Sequence, residues 1–75
     1  MAKHLIMDHT GHSTIEFDRA NQAERDAAMA RFAALVGEQK HLAATRSAGE
    51  TDYAVIRRFE DERDETLFKP HNVGG

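Results

Sequence analysis

Asn21-Gln22-Ala23-Glu24-Arg25-Asp26-Ala27-Ala28-Met29-Ala30-Arg31-Phe32-Ala33-Ala34-Leu35-Val36-Gly37 carries the strongest periodicity in the chain. Asn21 stands at an N-cap position, and Glu24 follows three residues on, as in a capping box. Ala28, Met29, Phe32, Leu35 and Val36 recur at the spacing of a single helical face. Gly37 is placed to end the helix in the left-handed conformation. Glu24, Arg31 and Glu38, with several alanines, form the solvated face. A helix with one apolar stripe needs a second layer to cover it, and the flanking segments must supply that layer.

Upstream, His4 to Met7 and Ser13 to Phe17 have strand-like content and are separated by Asp8-His9-Thr10-Gly11-His12. Gly11 suits the reversal, so this segment reads as a β-hairpin. Ile15 and Phe17 share a face, which gives the hairpin one buried side. Downstream, Lys40 to Arg46 and Tyr53 to Phe59 form a second hairpin across residues 47–52. In its second strand Tyr53, Val55 and Phe59 share one face and Ala54, Ile56 and Arg58 the other, and periodicity does not choose which packs on the helix. Residues 60–65 read as a charged connector, with Leu67 and Phe68 anchoring a short edge strand that Pro70 stops. The expected fold class is α+β, ββαββ, a sheet of four to five strands with one helix packed across it. Residues 1–69 form a single domain and residues 70–75 a C-terminal Gly-Gly tail. Strand order stays open, because a split-hairpin sheet has the same pattern.

At 75 residues the chain can hold one thin core. Such a domain buries only about 60% of its unfolded surface, which leaves little room for an enclosed substrate pocket. There is no cysteine, hence no disulfide or thiolate chemistry, and the formal charge of −3 comes from 13 acidic and 10 basic residues interspersed along the sequence. That balance lacks the basic stripe of a nucleic-acid binder. No apolar run approaches the roughly 18 residues of a membrane span, and the first residues lack the apolar segment of a secretory signal. The expectation is a protein synthesised in the cytoplasm that binds neither nucleic acid nor membrane.

Few residues suggest chemistry. Asp8, His9 and His12 cluster at the first turn, but structural zinc sites want four ligands, so the turn reads as a polar hairpin tip and no metal is expected. His4 reads as a strand residue facing solvent or a neighbour, and His41 and His71 stand isolated. Ser13 and Ser47 lack the context of a nucleophile elbow, and Gly11, Gly37 and Gly49 stand apart, so no phosphate loop is present. Arg57 and Arg58, with Arg46 on the neighbouring strand, could form a basic patch, although cross-strand pairing with acids is the favoured reading. No catalytic residue and no cofactor are expected.

Hairpin, helix, hairpin, short final strand and the Gly74-Gly75 ending together resemble the ubiquitin-like β-grasp proteins, including bacterial sulfur carriers. That resemblance implies activation at the Gly75 carboxylate, with Gly74 letting the tail thread a narrow channel. A more local resemblance lies in Leu5 to Gly11, Phe17-Asp18, Leu67 to Pro70 and Val73-Gly74-Gly75. These segments look like those of short uncharacterised proteins encoded in phage and prophage clusters. It implies a small accessory or virion structural protein that binds a larger protein partner, up to a multi-subunit assembly, whose oligomeric state the sequence does not set. The function expected is non-catalytic protein–protein interaction through a sheet edge and the tail, with Pro70, Val73, Gly74 and Gly75 as its contact residues. The alternative is a ubiquitin-like modifier or sulfur carrier.

Overall fold

The computed structural model describes residues 1–8 and 11–70. In chain order these residues form β1 (Ala2–Asp8), β2 (Gly11–Phe17), α1 (Gln22–Ala33), β3 (His41–Arg46), β4 (Ala54–Ile56) and β5 (Glu65–Pro70). They make a small α+β domain in which one helix covers one face of a five-stranded mixed sheet of order β2-β1-β5-β3-β4. β1 runs antiparallel to β2 and parallel to β5, and β3 is antiparallel to both β5 and β4.

The last strand overturns one expectation. The sequence places a short edge strand at Leu67 and Phe68, whereas β5 spans six residues and lies between β1 and β3. Thr66 and Phe68 point into the core at 0% exposure, which a strand at the rim could not achieve as readily. The edges are β2 and β4 instead.

The helix starts as expected and ends differently. Asn21 Oδ1 accepts from the Glu24 amide at 3.1 Å, while the Glu24 carboxylate accepts from the Asp18 amide at 3.0 Å, reaching past the cap residue. The Asn21 amide donates to the Asp18 carbonyl. After Ala33 the chain widens into a π turn, Ala34–Glu38, in which the Gln39 amide bonds back to the Ala34 carbonyl at 3.0 Å. Gly37 lies inside this turn, and Lys40, with φ of 54°, is the residue that adopts the left-handed conformation. The extra residue in the turn leaves Leu35 buried and Val36 packed against the core.

The second hairpin is also shorter than expected, because β4 holds only three residues. Phe59 leaves the strand line, enters a 3-10 turn (Phe59–Asp61) and joins the core, while Val55 stays 60% exposed. Tyr53, Val55 and Phe59 therefore do not share a face, and Ile56 is the β4 residue that packs against the core.

All four phenylalanines, Phe17, Phe32, Phe59 and Phe68, are buried together with Leu35 and the small residues Ala2, Ala28 and Ala43. Phe32 meets Phe68 edge-on at 5.7 Å and Phe59 at 6.1 Å, the geometry in which aromatic pairs attract. Met29, expected on the buried stripe, is 37% exposed.

Candidate functional site

Strand register sets the two faces of the sheet. Side chains alternate along each strand, and residues paired across strands share a face. On the helix side lie Ala2, His4 and Ile6 of β1, Thr66 and Phe68 of β5, and Ala43 and Thr45 of β3. The opposite side carries a row crossing all five strands: Thr14, Leu5, Leu67, Ala44 and Val55. No described element covers that row. Leu42, 41% exposed, and Met7, 38% exposed, extend it toward the end of the sheet where Lys69 and His12 lie across from them. Val55, Leu42 and Met7 are its exposed apolar members, while Leu5, Leu67 and Ala44 at its centre are half-buried.

Beside the strip runs a second row, Glu16, Lys3, Glu65 and Arg46, in which the charges alternate in sign. Arg46 bonds Glu65 through both Nε and a terminal nitrogen, at 3.0 and 2.9 Å, and Tyr53 donates its hydroxyl to the same carboxylate at 2.9 Å. The Arg46 guanidinium also lies over the Tyr53 ring, 4.8 Å from its centre. Burial pushes Glu65 up, but the hydrogen bonds from Tyr53 and Arg46 outweigh it and hold the carboxyl below its ordinary range. Tyr53 moves up, through burial first and the adjacent carboxylate second. This row is internally neutral, so the face presents apolar surface with little net charge beside it.

A second polar array centres on a buried histidine. His4 is at 0% exposure, held edge-on between Phe17 at 4.9 Å and Phe68 at 4.8 Å. Arg31 on α1 donates to its Nδ1 at 3.0 Å. A guanidinium can only donate, so Nδ1 is an acceptor and the ring proton sits on Nε2, which donates to Glu62 at 2.8 and 3.0 Å. Thr66 donates to Glu62 at 3.0 Å and lies 3.3 Å from Thr45, whose hydroxyl donates to the Glu65 carbonyl and accepts from the Arg63 amide. Burial lowers the Arg31 pKa, with the Glu62 charge opposing. His4 thus faces the core and not solvent, and Glu62, expected on a solvated connector, has a side chain only 4% exposed. A buried imidazole demands partners for both nitrogens, and the helix and connector supply them. With no surface at which to meet a substrate, His4 ties β1, α1 and the connector together.

The remaining sequence candidates are dispersed. Arg46 pairs across the sheet with Glu65 as favoured, but Arg57 and Arg58 sit exposed just beyond β4 and do not join it. Asp8 pairs with Gly11 at the end of the first hairpin and His12 is exposed, while His9 lies outside the described residues. Among the described residues no group of three potential metal ligands comes together. Nδ1 of His41 is buried without a hydrogen-bond partner among the described residues. Pro70 closes β5 opposite His41 and is exposed. His71, Val73, Gly74 and Gly75 lie outside the described residues.

Sequence reasoning missed the open strip because Leu5, Leu42 and Leu67 look like core residues beside smaller neighbours. Strand geometry puts Leu42 and Ala44 on the face opposite Ala43 and Thr45, but His41-Leu42-Ala43-Ala44-Thr45-Arg46 has no polar–apolar alternation to say which face is covered.

Comparison with protein-family models, with curated proteins and with solved structures found no match. Among the described residues no helix is long and apolar enough to cross a membrane.

Proposed function

We propose that this chain is a small non-catalytic interaction module, a phage or prophage accessory or virion structural protein, that docks on a larger protein through the open face of its sheet, its exposed edges and the tail from Pro70 to Gly75. The uncovered row of Leu5, Leu67, Ala44 and Val55, extended by Leu42 and Met7, carries this reading. Its partner presents an apolar patch of low net charge, because the flanking Glu16, Lys3, Glu65 and Arg46 already balance one another. The edges add unpaired backbone groups for strand addition. The phage assignment rests on the local resemblance at the two ends of the chain.

The fold is best read as β-grasp-like. First and last strands side by side and parallel at the centre of the sheet, with one helix across one face, are the features that favour this. The same observation supports the alternative of a ubiquitin-like modifier or sulfur carrier, since β5 delivers the tail from the middle of the sheet and not from its rim.

The test is recovery of the tagged chain with particles or a larger complex from its native host. Stoichiometric recovery is expected, with loss on Leu42→Glu or Val55→Glu and no loss of fold, since both side chains are already partly in water. A monodisperse monomer that binds nothing would overturn the docking reading. Formation of a Gly75 adenylate or thioester with ATP and a neighbouring activating enzyme, seen by mass, would favour the carrier instead. Deleting Gly74-Gly75 should abolish that product.

A further inference from the structure

The seven arginines divide sharply. Arg19 faces Asp64, Arg46 bonds Glu65, Arg63 bonds Glu50, Arg31 bonds His4, and Arg25 lies over the Phe59 ring at 5.5 Å. Arg57 and Arg58 are exposed, adjacent, and have no ion-pair or hydrogen-bond partner among the described residues. They border a groove of about 340 Å³ between α1 and the segment after β4, floored by Met29, Val36, Phe32 and Phe59. Met29 is on the helical stripe yet 37% exposed, so its thioether and methyl are available to a visitor.

We propose that this groove docks an acidic amphipathic segment of a partner protein, its apolar side chain seated on Met29 and Val36 and its carboxylates taken by Arg57 and Arg58. Two neighbouring guanidinium groups repel one another and have no ion-pair partner among the described residues, although the whole chain carries a net charge of −3 and its other five arginines each face an acid, His4 or an aromatic ring. Guanidinium forks suit carboxylates, which they hold through two parallel hydrogen bonds. Methionine is unbranched and polarisable, and adapts to different apolar side chains. Glu60 on the same rim disfavours a second acidic group at its end of the groove, which orients the segment. The groove is on the helix side of the sheet, so this inference does not depend on the open-face reading.

The probe is a capped hexapeptide alternating glutamate and leucine, titrated into the whole chain and followed by methyl NMR at Met29 and Val36 and by the side-chain N–H signals of Arg57 and Arg58. Saturable shifts confined to those residues are expected, weakening as salt rises, with no response to the lysine–leucine counterpart. The double variant Arg57→Ala and Arg58→Ala should weaken binding about tenfold, through loss of the charge-assisted bonds. The reversal Arg57→Glu with Arg58→Glu should switch preference to the basic peptide, while Leu42→Glu on the open face should leave binding unchanged. Equal binding of both peptides, shifts elsewhere in the chain, indifference to the arginine variants, tighter binding of a single-stranded oligonucleotide, or no shift at all would overturn the proposal.

Discussion

Glu62→Ala should destabilise the domain by about 2–4 kcal/mol, more than its place in a charged run would suggest. The substitution removes the acceptor of His4 Nε2 at 0% exposure, and a buried donor left unpaired costs about 1–3 kcal/mol. Thr66 loses its bond to Glu62 but keeps Thr45 at 3.3 Å, so its loss is the smaller part. Arg31 loses the nearby negative charge that opposes its desolvation, which adds to the total. At roughly 0.05–0.15 kcal/mol per residue, a chain of 75 residues has about 4–11 kcal/mol in all, so this one side chain accounts for a large share. His4→Phe removes the donor and places a ring of similar size between Phe17 and Phe68. In the double variant neither partner remains, and its cost should fall short of the sum of the singles by about 1–3 kcal/mol. Urea unfolding followed by far-ultraviolet circular dichroism measures all four proteins. A Glu62→Ala cost under about 1 kcal/mol, or strict additivity in the cycle, would refute the argument that the buried network acts as one unit.

Phe32→Ala should cost about 3–5 kcal/mol in the same assay, because it empties the meeting point of Phe59 and Phe68; a loss under about 1 kcal/mol would mean the core is centred elsewhere. Asn21→Ala should cost about 1 kcal/mol by freeing the Glu24 amide, with Asn21→Asp nearly neutral; equal losses for both would show that the cap contributes nothing. Acid should weaken the fold through three carboxyls held below their ordinary values. Glu50 is lowered chiefly by the Ser47 amide and Asp64 chiefly by the Ala48 amide, while in Glu65 the Tyr53 and Arg46 bonds overcome burial. The unfolded chain therefore takes up these protons first, so the stability they contribute is intact at neutral pH and is lost as pH falls below the ordinary values of 4.5 for glutamate and 3.8 for aspartate. The urea midpoint should hold between pH 7 and about 5 and then drop, less so in Asp64→Asn; a midpoint flat down to about pH 3 would contradict this.

Much of the fold is legible in local pattern. The Asn21 cap, the stripe of Ala28, Phe32 and Leu35, and the reversal at Gly11 each depend on residues within a few positions of one another, so helix and first hairpin can be read directly. The end of the helix resists such reading. Gly37 offers the residue type that usually stops a helix, yet the π turn carries the chain past it and Lys40 takes the positive φ. The candidate surface resists it too, because alternation divides a strand into two faces without saying which is covered.

What the amino-acid order determined by itself is therefore the set of elements, one helix among short strands, and the absence of thiol chemistry and of a basic stripe. Tertiary structure alone decided that β5 lies at the centre, that Glu62 turns inward to meet His4 from 58 positions away, and that Ala43 is buried while Leu42 meets solvent. The reason is that these outcomes depend on volume and hydrogen-bond matching between segments far apart in the chain. Four phenylalanines and a histidine already fill the space beneath the helix, so the small residues of β3 fit there and its leucine is left on the open face.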